Sequence, residues 1–177
     1  MKNVNQITLI SFGIVDKALL EMIRTETARI FGCKVQLKEA RTELGQYFDG
    51  SRRQYNADQL LQMVDLTYGK DEAKTAGLFL VDLFIPILTY IFGQAYLNGR
   101  TSVASGYRLT DERYGIKSFK QKYPSRFLKE VIHELGHNFG LIHCHTIGCV
   151  MQASTYVEDI DLKNTDFCPA CRRQLAQ

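Results

Sequence analysis

The chain has 177 residues, of which 45% are hydrophobic and 23% are charged, and its net charge is +3. These values are ordinary for a globular protein and exclude a mainly disordered or fibrous chain. The length predicts a single domain (residues 1–177) with a sizeable core, and the mild charge does not by itself indicate a nucleic-acid partner.

Predicted strands and helices alternate along the first 110 residues. The apolar patterns predict strands at residues 6–12, 34–40, 75–85, 91–97 and 101–109. Helices are predicted at residues 16–31, ending at Gly32, and at 54–68, with Asn56 as a candidate N-cap. This order predicts an α/β fold with a mixed, mostly parallel sheet, in which the late hairpin around Asn98-Gly99 supplies an antiparallel edge strand.

No segment predicts a membrane span or an export signal. The apolar run near the start is closed by Asp16 and Lys17, and the run at residues 83–97 is interrupted by Pro86 and Gly93. The cytoplasm is therefore the expected compartment. It is reducing, so that clustered cysteines there more often bind metal than form disulfides.

All four histidines of the chain lie between residues 133 and 145. The first two belong to a predicted helix that begins near Pro124 or Ser125 and ends at Gly140. Its apolar face recurs at helical spacing, at Leu128, Val131, Ile132, Leu135 and Phe139. From Leu141 onward the sequence has no clear period, and an irregular segment is expected there.

The spacing of three of these histidines predicts a metal site. Residues four apart on a helix lie about 40° apart in angle and about 6 Å apart along the axis, so His133 and His137 can hold one ion. Gly140 can turn the chain sharply, which allows His143 to return as a third ligand. Three nitrogen ligands leave a tetrahedral zinc one position open for water.

Glu134 points about 100° away from His133 and is poorly placed to be a ligand. It can instead accept a proton from the zinc-bound water, whose pKa zinc lowers towards about 7. This is the chemistry of amide hydrolysis. The alternative is an amphipathic helix that carries histidines by chance.

Four cysteines form two close pairs, Cys144 with Cys149 and Cys168 with Cys171 on a Pro-Ala turn. In a reducing compartment they predict a closed, structural four-thiolate zinc site. Two disulfides, or a redox-active Cys-Pro-Ala-Cys motif, are the alternatives. Met151 is either a core methionine or the floor beneath the catalytic zinc, and its spacing does not choose between them.

The joined pattern HExxHxxGxxHCxxxxCxM, followed by CxxC, resembles the archaemetzincin family of metzincin metallopeptidases. The segments at residues 90–109 and 129–144 are also similar to that family. The resemblance implies an α+β metzincin fold whose cleft lies between an N-terminal α/β subdomain (about 1–140) and a small, zinc-stapled C-terminal one (about 141–177). It also implies that Met151 is the methionine of the Met-turn and that the cysteines hold a second zinc. The position that carries a tyrosine in some metzincins is Ala153 here.

The leading hypothesis is a monomeric, cytoplasmic zinc peptidase that holds two zinc ions and acts on a peptide or protein. An extended substrate is expected to add to the edge of the sheet along residues 98–105. The rival hypothesis is a non-catalytic zinc-binding interaction module. Its support is a basic stretch, formed by Lys117, Lys120, Lys122, Arg126 and Lys129, and the pair Arg172 and Arg173. Retention of Glu134 favours the enzyme, since a structural site has no use for that carboxylate.

Overall fold

The computed structural model describes residues 6–115 and 122–176. Within these ranges the strands are β1 (Gln6–Phe12), β2 (Lys34–Ala40), β3 (Phe48–Asp49), β4 (Gln54–Asn56), β5 (Lys74–Phe79), β6 (Leu83–Phe84), β7 (Gly93–Ala95) and β8 (Thr101–Ser105). The helices are α1 (Lys17–Phe31), α2 (Ala57–Tyr68), α3 (Lys122–Asn138), α4 (Val157–Leu162) and α5 (Pro169–Leu175).

The main sheet has the strand order β2-β1-β5-β8-β7. Its first four strands are parallel, and β7 pairs antiparallel with β8 at the edge. The mixed, mostly parallel α/β prediction is confirmed. One detail was wrong: residues 101–105 are paired on both sides and offer no free edge to an extended substrate, and the edge strand next to them is β7.

The sequence correctly predicted the residue that ends α1 and the residue that caps α2. Gly32 ends α1 in the left-handed conformation, with φ of 64°. The side chain of Asn56 caps α2 by accepting a hydrogen bond from the backbone N–H of Gln59 at 3.2 Å. Both devices satisfy backbone groups that a helix end leaves unpaired, which is why they can be read without tertiary information.

Three expectations about element boundaries were wrong. Residues 54–56 form β4 rather than the start of a helix, because they pair with β3 and β6 in a small second sheet. The strand predicted at 75–85 is divided into β5 and β6 by Leu80–Asp82, where Asp82 binds Arg108. Helix α3 begins at Lys122, so Pro124 lies in its first turn as expected, but Ser125 lies inside the helix and does not cap it.

The segment after Leu141 is more regular than expected, since it contains α4 and α5. Val157 and Ile160 bury one side of α4 in the core. Pro169 occupies the first turn of α5, where its missing N–H costs nothing, and Cys168 precedes it as the N-cap residue. The Cys-Pro-Ala-Cys segment is therefore a helix start rather than an isolated turn. The subdomain boundary near residue 140 stays a prediction.

Helix α3 lies against β8 and β7 and crosses the centre of the molecule. Its predicted apolar face is buried at four positions, with Val131, Ile132 and Leu135 fully inaccessible to solvent, whereas Phe139 is only partly buried. No helix among the described residues combines the length and the apolarity that crossing a bilayer requires.

A buried arginine joins α3 to the C-terminal segment. Arg126 is 3% exposed. It donates to both carboxylate oxygens of Asp161 on α4 at 2.8 Å, and to Asp111 at 2.7 Å. The Asp161 carboxylate also receives a hydrogen bond from Lys122 at 3.0 Å. This network fixes α4 against α3.

We expect Asp161→Asn to lower the free energy of unfolding by about 2 kcal/mol at neutral pH. The hydrogen bonds from Arg126 hold the pKa of Asp161 at about 2, below its ordinary value of 3.8. Because the pKa is lowered in the folded state, this contribution is complete above about pH 4 and is lost as the pH falls towards 2. Chemical denaturation at several pH values checks this. Glu158→Gln, an exposed change on the same helix, is the control, and equal stabilities of Asp161→Asn and the wild type at neutral pH would contradict the assignment.

Candidate active site and thiolate cluster

Three histidines converge at the C-terminal end of α3. His133 and His137 lie one turn apart, and their Nε2 atoms are 3.1 Å from each other. His143 comes from the chain beyond the helix, and one nitrogen from each ring lies within 4.8 Å of the others. His145, the fourth histidine, is exposed and does not belong to this group.

The return of His143 depends on the turn at Gly140. Its φ is +88°, a conformation that disfavours residues with a Cβ. The N–H of Gly140 donates to the carbonyl of His137 at 2.9 Å, and the N–H of Leu141 donates to that of Gly136 at 3.0 Å. This pair of bonds is the Schellman motif, which ends the helix and reverses the chain.

Backbone carbonyls orient both helical imidazoles. Nδ1 of His133 lies 2.8 Å from the carbonyl oxygen of Val150, and Nδ1 of His137 lies 2.7 Å from that of Leu141. A carbonyl can only accept, so each Nδ1 carries the proton and each Nε2 presents a lone pair. Burial also lowers the pKa of His133 well below its ordinary value, and it lowers the pKa values of His137 and His143. Neutral rings with free Nε2 atoms are the form that binds metal.

The three rings fit a zinc ion. Nitrogens bound to tetrahedral zinc at about 2.0–2.1 Å lie about 3.4 Å apart. The separation of 3.1 Å between the Nε2 atoms of His133 and His137 is close to this value. Three protein nitrogens leave one position for a reacting molecule, as in catalytic rather than structural zinc sites.

Glu134 is buried beside this group, and its surroundings include a residue that sequence reasoning missed. Burial raises the pKa of Glu134 well above its usual range, and the nearby Glu130 raises it further. A Cβ placed on Gly93, in the edge strand β7, would lie 2.6 Å from Cγ and 2.7 Å from Oε1 of Glu134. Gly93 is thus what allows the edge strand to approach the carboxylate. A glycine inside a strand pattern was the available signal.

A cavity of about 500 Å³ opens next to these residues. His133, Glu134 and His143 form one part of its lining. Glu130 and two further segments complete the lining: residues 88–93, which lead into β7, and residues 153–156, which follow Met151. The cavity is therefore large enough to admit a side chain beside the histidines.

Met151 lies beneath α3 and is fully buried. A Cβ placed on Gly136 would clash with the sulfur of Met151, and it would lie 3.2 Å from the ring of Phe167. The carbonyl of Met151 accepts a hydrogen bond from the N–H of Cys144 at 2.9 Å. The methionine thus packs directly against the helix turn that carries His133 and His137.

The four cysteines also converge. Sγ of Cys144 is 3.8 Å from that of Cys168, and Sγ of Cys149 is 3.8 Å from that of Cys171. Sulfurs at about 2.3 Å from a tetrahedral ion lie about 3.8 Å apart, so the set fits one zinc. All four are free thiols in this structure. The fifth, Cys33, is half-buried and lies outside the cluster.

The chain's own N–H groups favour a thiolate at one of these positions. Hydrogen bonding by the backbone of Cys171, at the start of α5, lowers the pKa of Cys168 to about 6. Burial raises the pKa values of Cys149 and Cys171. A bound cation would favour the deprotonated form of every member, since it binds thiolates and not thiols.

Known proteins are similar to this chain over most of its length. The sequence profile of peptidase family M54 matches residues 4–177. The archaemetzincin of Haloquadratum walsbyi is 40% identical over 149 residues, which cover 82% of this chain and 85% of that protein. The archaemetzincin of Sulfolobus acidocaldarius is 36% identical over 172 residues, which cover 96% of each chain.

Solved structures show the same fold. The crystal structure of archaemetzincin from Methanopyrus kandleri superimposes with a TM-score of 0.83 at 30% identity, covering 100% of this chain and 99% of that one. The archaemetzincin from Archaeoglobus fulgidus superimposes with a TM-score of 0.81 at 30% identity, covering 96% and 99%.

We expect Gly136→Ala to destabilise the protein, although alanine is the better helix former. Helix propensity alone would favour alanine by about 1 kcal/mol, whereas forcing an atom into a filled core costs about 1–3 kcal/mol. The clash with Met151 should therefore lower the melting temperature, which differential scanning calorimetry measures. Gly45→Ala is the control, because a Cβ there meets nothing within 4 Å. A higher melting temperature for Gly136→Ala would show that Met151 is not tightly seated.

Proposed function

This chain belongs to peptidase family M54, the archaemetzincins, and is a zinc metallopeptidase; we propose that its three converging histidines hold the catalytic zinc and that Glu134 is the general base. The observation that carries this proposal is the convergence of three oriented Nε2 atoms next to a buried carboxylate and an open cavity. The substrate class is a peptide or protein.

Bound zinc would supply a lowered pKa for an attacking water and polarisation of the scissile carbonyl. The protein supplies the remaining functions. Glu134 accepts a proton from the attacking water and delivers it to the departing amine, and its burial keeps competing bulk water away. The carbonyls of Val150 and Leu141 hold the rings of His133 and His137 in the orientation that the ion requires.

We propose that the substrate backbone lies along β7. This strand is last in the order of the main sheet, and it carries Gly93 beside Glu134. An extended peptide can add to such an edge through backbone hydrogen bonds, which orient any sequence equally. Its scissile carbonyl would then lie beside the histidines, with a neighbouring side chain in the cavity.

The cysteine cluster is proposed to hold a second, structural zinc, which gives about two zinc ions per chain. Four thiolates leave no position for a substrate. The cluster joins residues 144–149 to the start of α5, and these segments have few large apolar side chains of their own. Binding at such a site contributes directly to folding.

An interaction module that binds nucleic acid is less well supported. In the basic stretch, Lys117 and Lys120 lie outside the described residues. Lys122 and Arg126 are bound to Asp161, and Lys129 donates to the carbonyl of Ile160 at 3.0 Å. The charged groups of these three residues therefore make contacts within the chain. We propose instead a single-chain peptidase of a reducing compartment such as the cytoplasm, where clustered cysteines more often bind metal than form disulfides.

We expect Glu134→Gln to lower peptide cleavage by about 100-fold or more, because an amide cannot accept the proton. The substitution leaves the size and shape of the side chain nearly unchanged, so zinc content and melting temperature should be preserved. Cleavage of a broad peptide library, followed by mass spectrometry, measures the effect. Glu158→Gln, an exposed change, should cleave like the wild type. Equal cleavage by Glu134→Gln would assign the activity to another group or to a contaminant.

We expect the two metals to be separable. Elemental analysis should find about two zinc ions per chain in the wild type and about one in either His143→Ala or Cys168→Ser. Cys168→Ser should also lose stability, since a structural site couples metal binding to folding, whereas His143→Ala should keep its melting temperature more closely. Cys33→Ser, outside both clusters, should retain both metals. About one zinc in the wild type, with the four clustered cysteines unreactive until reduced, would favour disulfides.

A further inference from the structure

The cavity beside the histidines has a charged residue in its lining that the proposed chemistry does not use. Glu130 lies on α3 one turn before Glu134 and three residues before His133, so all three project from one face of the helix. Its side chain is 4% exposed. A carboxylate is rarely buried in this way without partners that satisfy it.

The carboxylate of Glu130 is only partly satisfied by the residues around it. Its Oε1 lies 3.6 Å from Nζ of Lys163, whose side chain is 1% exposed. This distance suits an ion pair but is too long for a good hydrogen bond. Neither atom has a hydrogen-bond partner in the described part of the chain, and the same is true of Oγ of Ser154, which also lines the cavity. Buried polar atoms are normally satisfied, so Glu130 and Ser154 have hydrogen-bonding capacity that the described residues do not fill.

The charges in the cavity wall indicate which class of ligand suits this cavity. Glu130 and Glu134 are both in the wall, and no lysine or arginine is among the residues described there. Lys163 does not line the cavity. Arg108 stacks on the ring of Tyr90 at 4.2 Å, but its charge is paired with Asp82. Glu130 and Ser154 thus offer acceptor capacity at this end of the cavity beyond the ion pair with Lys163, and a donor of positive charge would complement it.

We propose that Glu130 is a specificity residue that selects a lysine or arginine side chain next to the scissile bond. The cationic head would donate to the Glu130 carboxylate and to Oγ of Ser154, while its methylene groups contact the apolar wall at Leu88 and Phe92. This inference rests on the proposed function, because it places the substrate backbone at the histidines. It adds the chemical class of the preferred substrate.

Lys163 has a different role in this arrangement. Burial raises the pKa of Glu130, and the charge of Lys163 opposes that effect. Lys163 thus helps to keep the carboxylate ionised without offering it a close hydrogen bond. The acceptor capacity that remains is available to a substrate.

A matched series of blocked hexapeptides tests this inference. The peptides differ at one position, which carries lysine, arginine, norleucine or glutamate, and the cleaved bond is located by mass spectrometry. Norleucine has the shape of lysine without the ammonium group. The wild type should prefer lysine and arginine over norleucine by about tenfold in kcat/KM at the position on one side of the bond. Glu158→Gln should keep this preference.

Three variants separate specificity from folding. Glu130→Gln should abolish the preference, measured as the ratio of kcat/KM for the lysine and norleucine peptides. Lys163→Met should weaken the preference, because without the charge of Lys163 burial favours the protonated form of Glu130. Since Glu130→Gln leaves Lys163 buried without its counter-charge, the double variant Glu130→Gln/Lys163→Met serves if the single one does not fold, and it too should lack the preference. An equal loss for every peptide in these variants would show that the pair is structural and overturn the inference.

A binding measurement keeps this test independent of catalysis. Calorimetry with zinc-loaded Glu134→Gln should show the lysine peptide binding about tenfold more tightly than the norleucine peptide, and Glu130→Gln in that background should remove the difference. Equal affinity for the two peptides, or no binding of either, would overturn the specificity role of Glu130. Failure of the wild type to cleave any peptide would instead count against the proposed peptidase mechanism, whichever way the binding result falls.

Discussion

The reversal of the chain at Gly140 is the constraint on which the rest of the site depends. The carbonyl of His137 accepts hydrogen bonds from the N–H groups of Gly140 and of Asn98, at 2.9 and 2.8 Å. The end of α3 is thereby held to the β7–β8 hairpin and turned back on itself at the same point. His143 can reach the two helical histidines only because of this reversal, which requires a left-handed backbone that glycine adopts without strain.

In the segment that follows the reversal, three consecutive residues each contact a different part of the site. Cys149 belongs to the thiolate cluster, the carbonyl of Val150 orients His133, and Met151 packs under Gly136. A change that loosens the thiolate cluster would therefore also weaken the orientation of His133 and the packing of Met151 against Gly136. In the proposed scheme, a zinc ion that performs no chemistry thus stabilises the geometry of the ion that does.

In the proposed scheme, helix α3 carries both catalytic and recognition residues. Glu130 lies three and four positions before His133 and Glu134, and His137 lies four positions after His133, which are the spacings that bring side chains together along a helix. Burial raises the pKa of Glu134. In the proposed scheme, the buried Glu130 carboxylate, beside Lys163, discriminates between substrate side chains that differ in charge, because electrostatic interactions are stronger away from bulk water.

By itself the sequence determined the features that depend on neighbours along the chain. Helix periodicity, the caps at Asn56 and Gly32, the histidine spacing with its glycine turn, and the cysteine pairs were all readable, because each is set by fewer than about a dozen residues. The tertiary structure alone decided which strand is the free edge, that Gly93 lies against Glu134, and that Lys163 lies beside Glu130. These contacts join residues tens of positions apart, and local preferences contain no information about which distant segments will pack together. The two short C-terminal helices belong to the same class, since helices of this length are not stable alone and form through packing against α3 and the cysteine cluster.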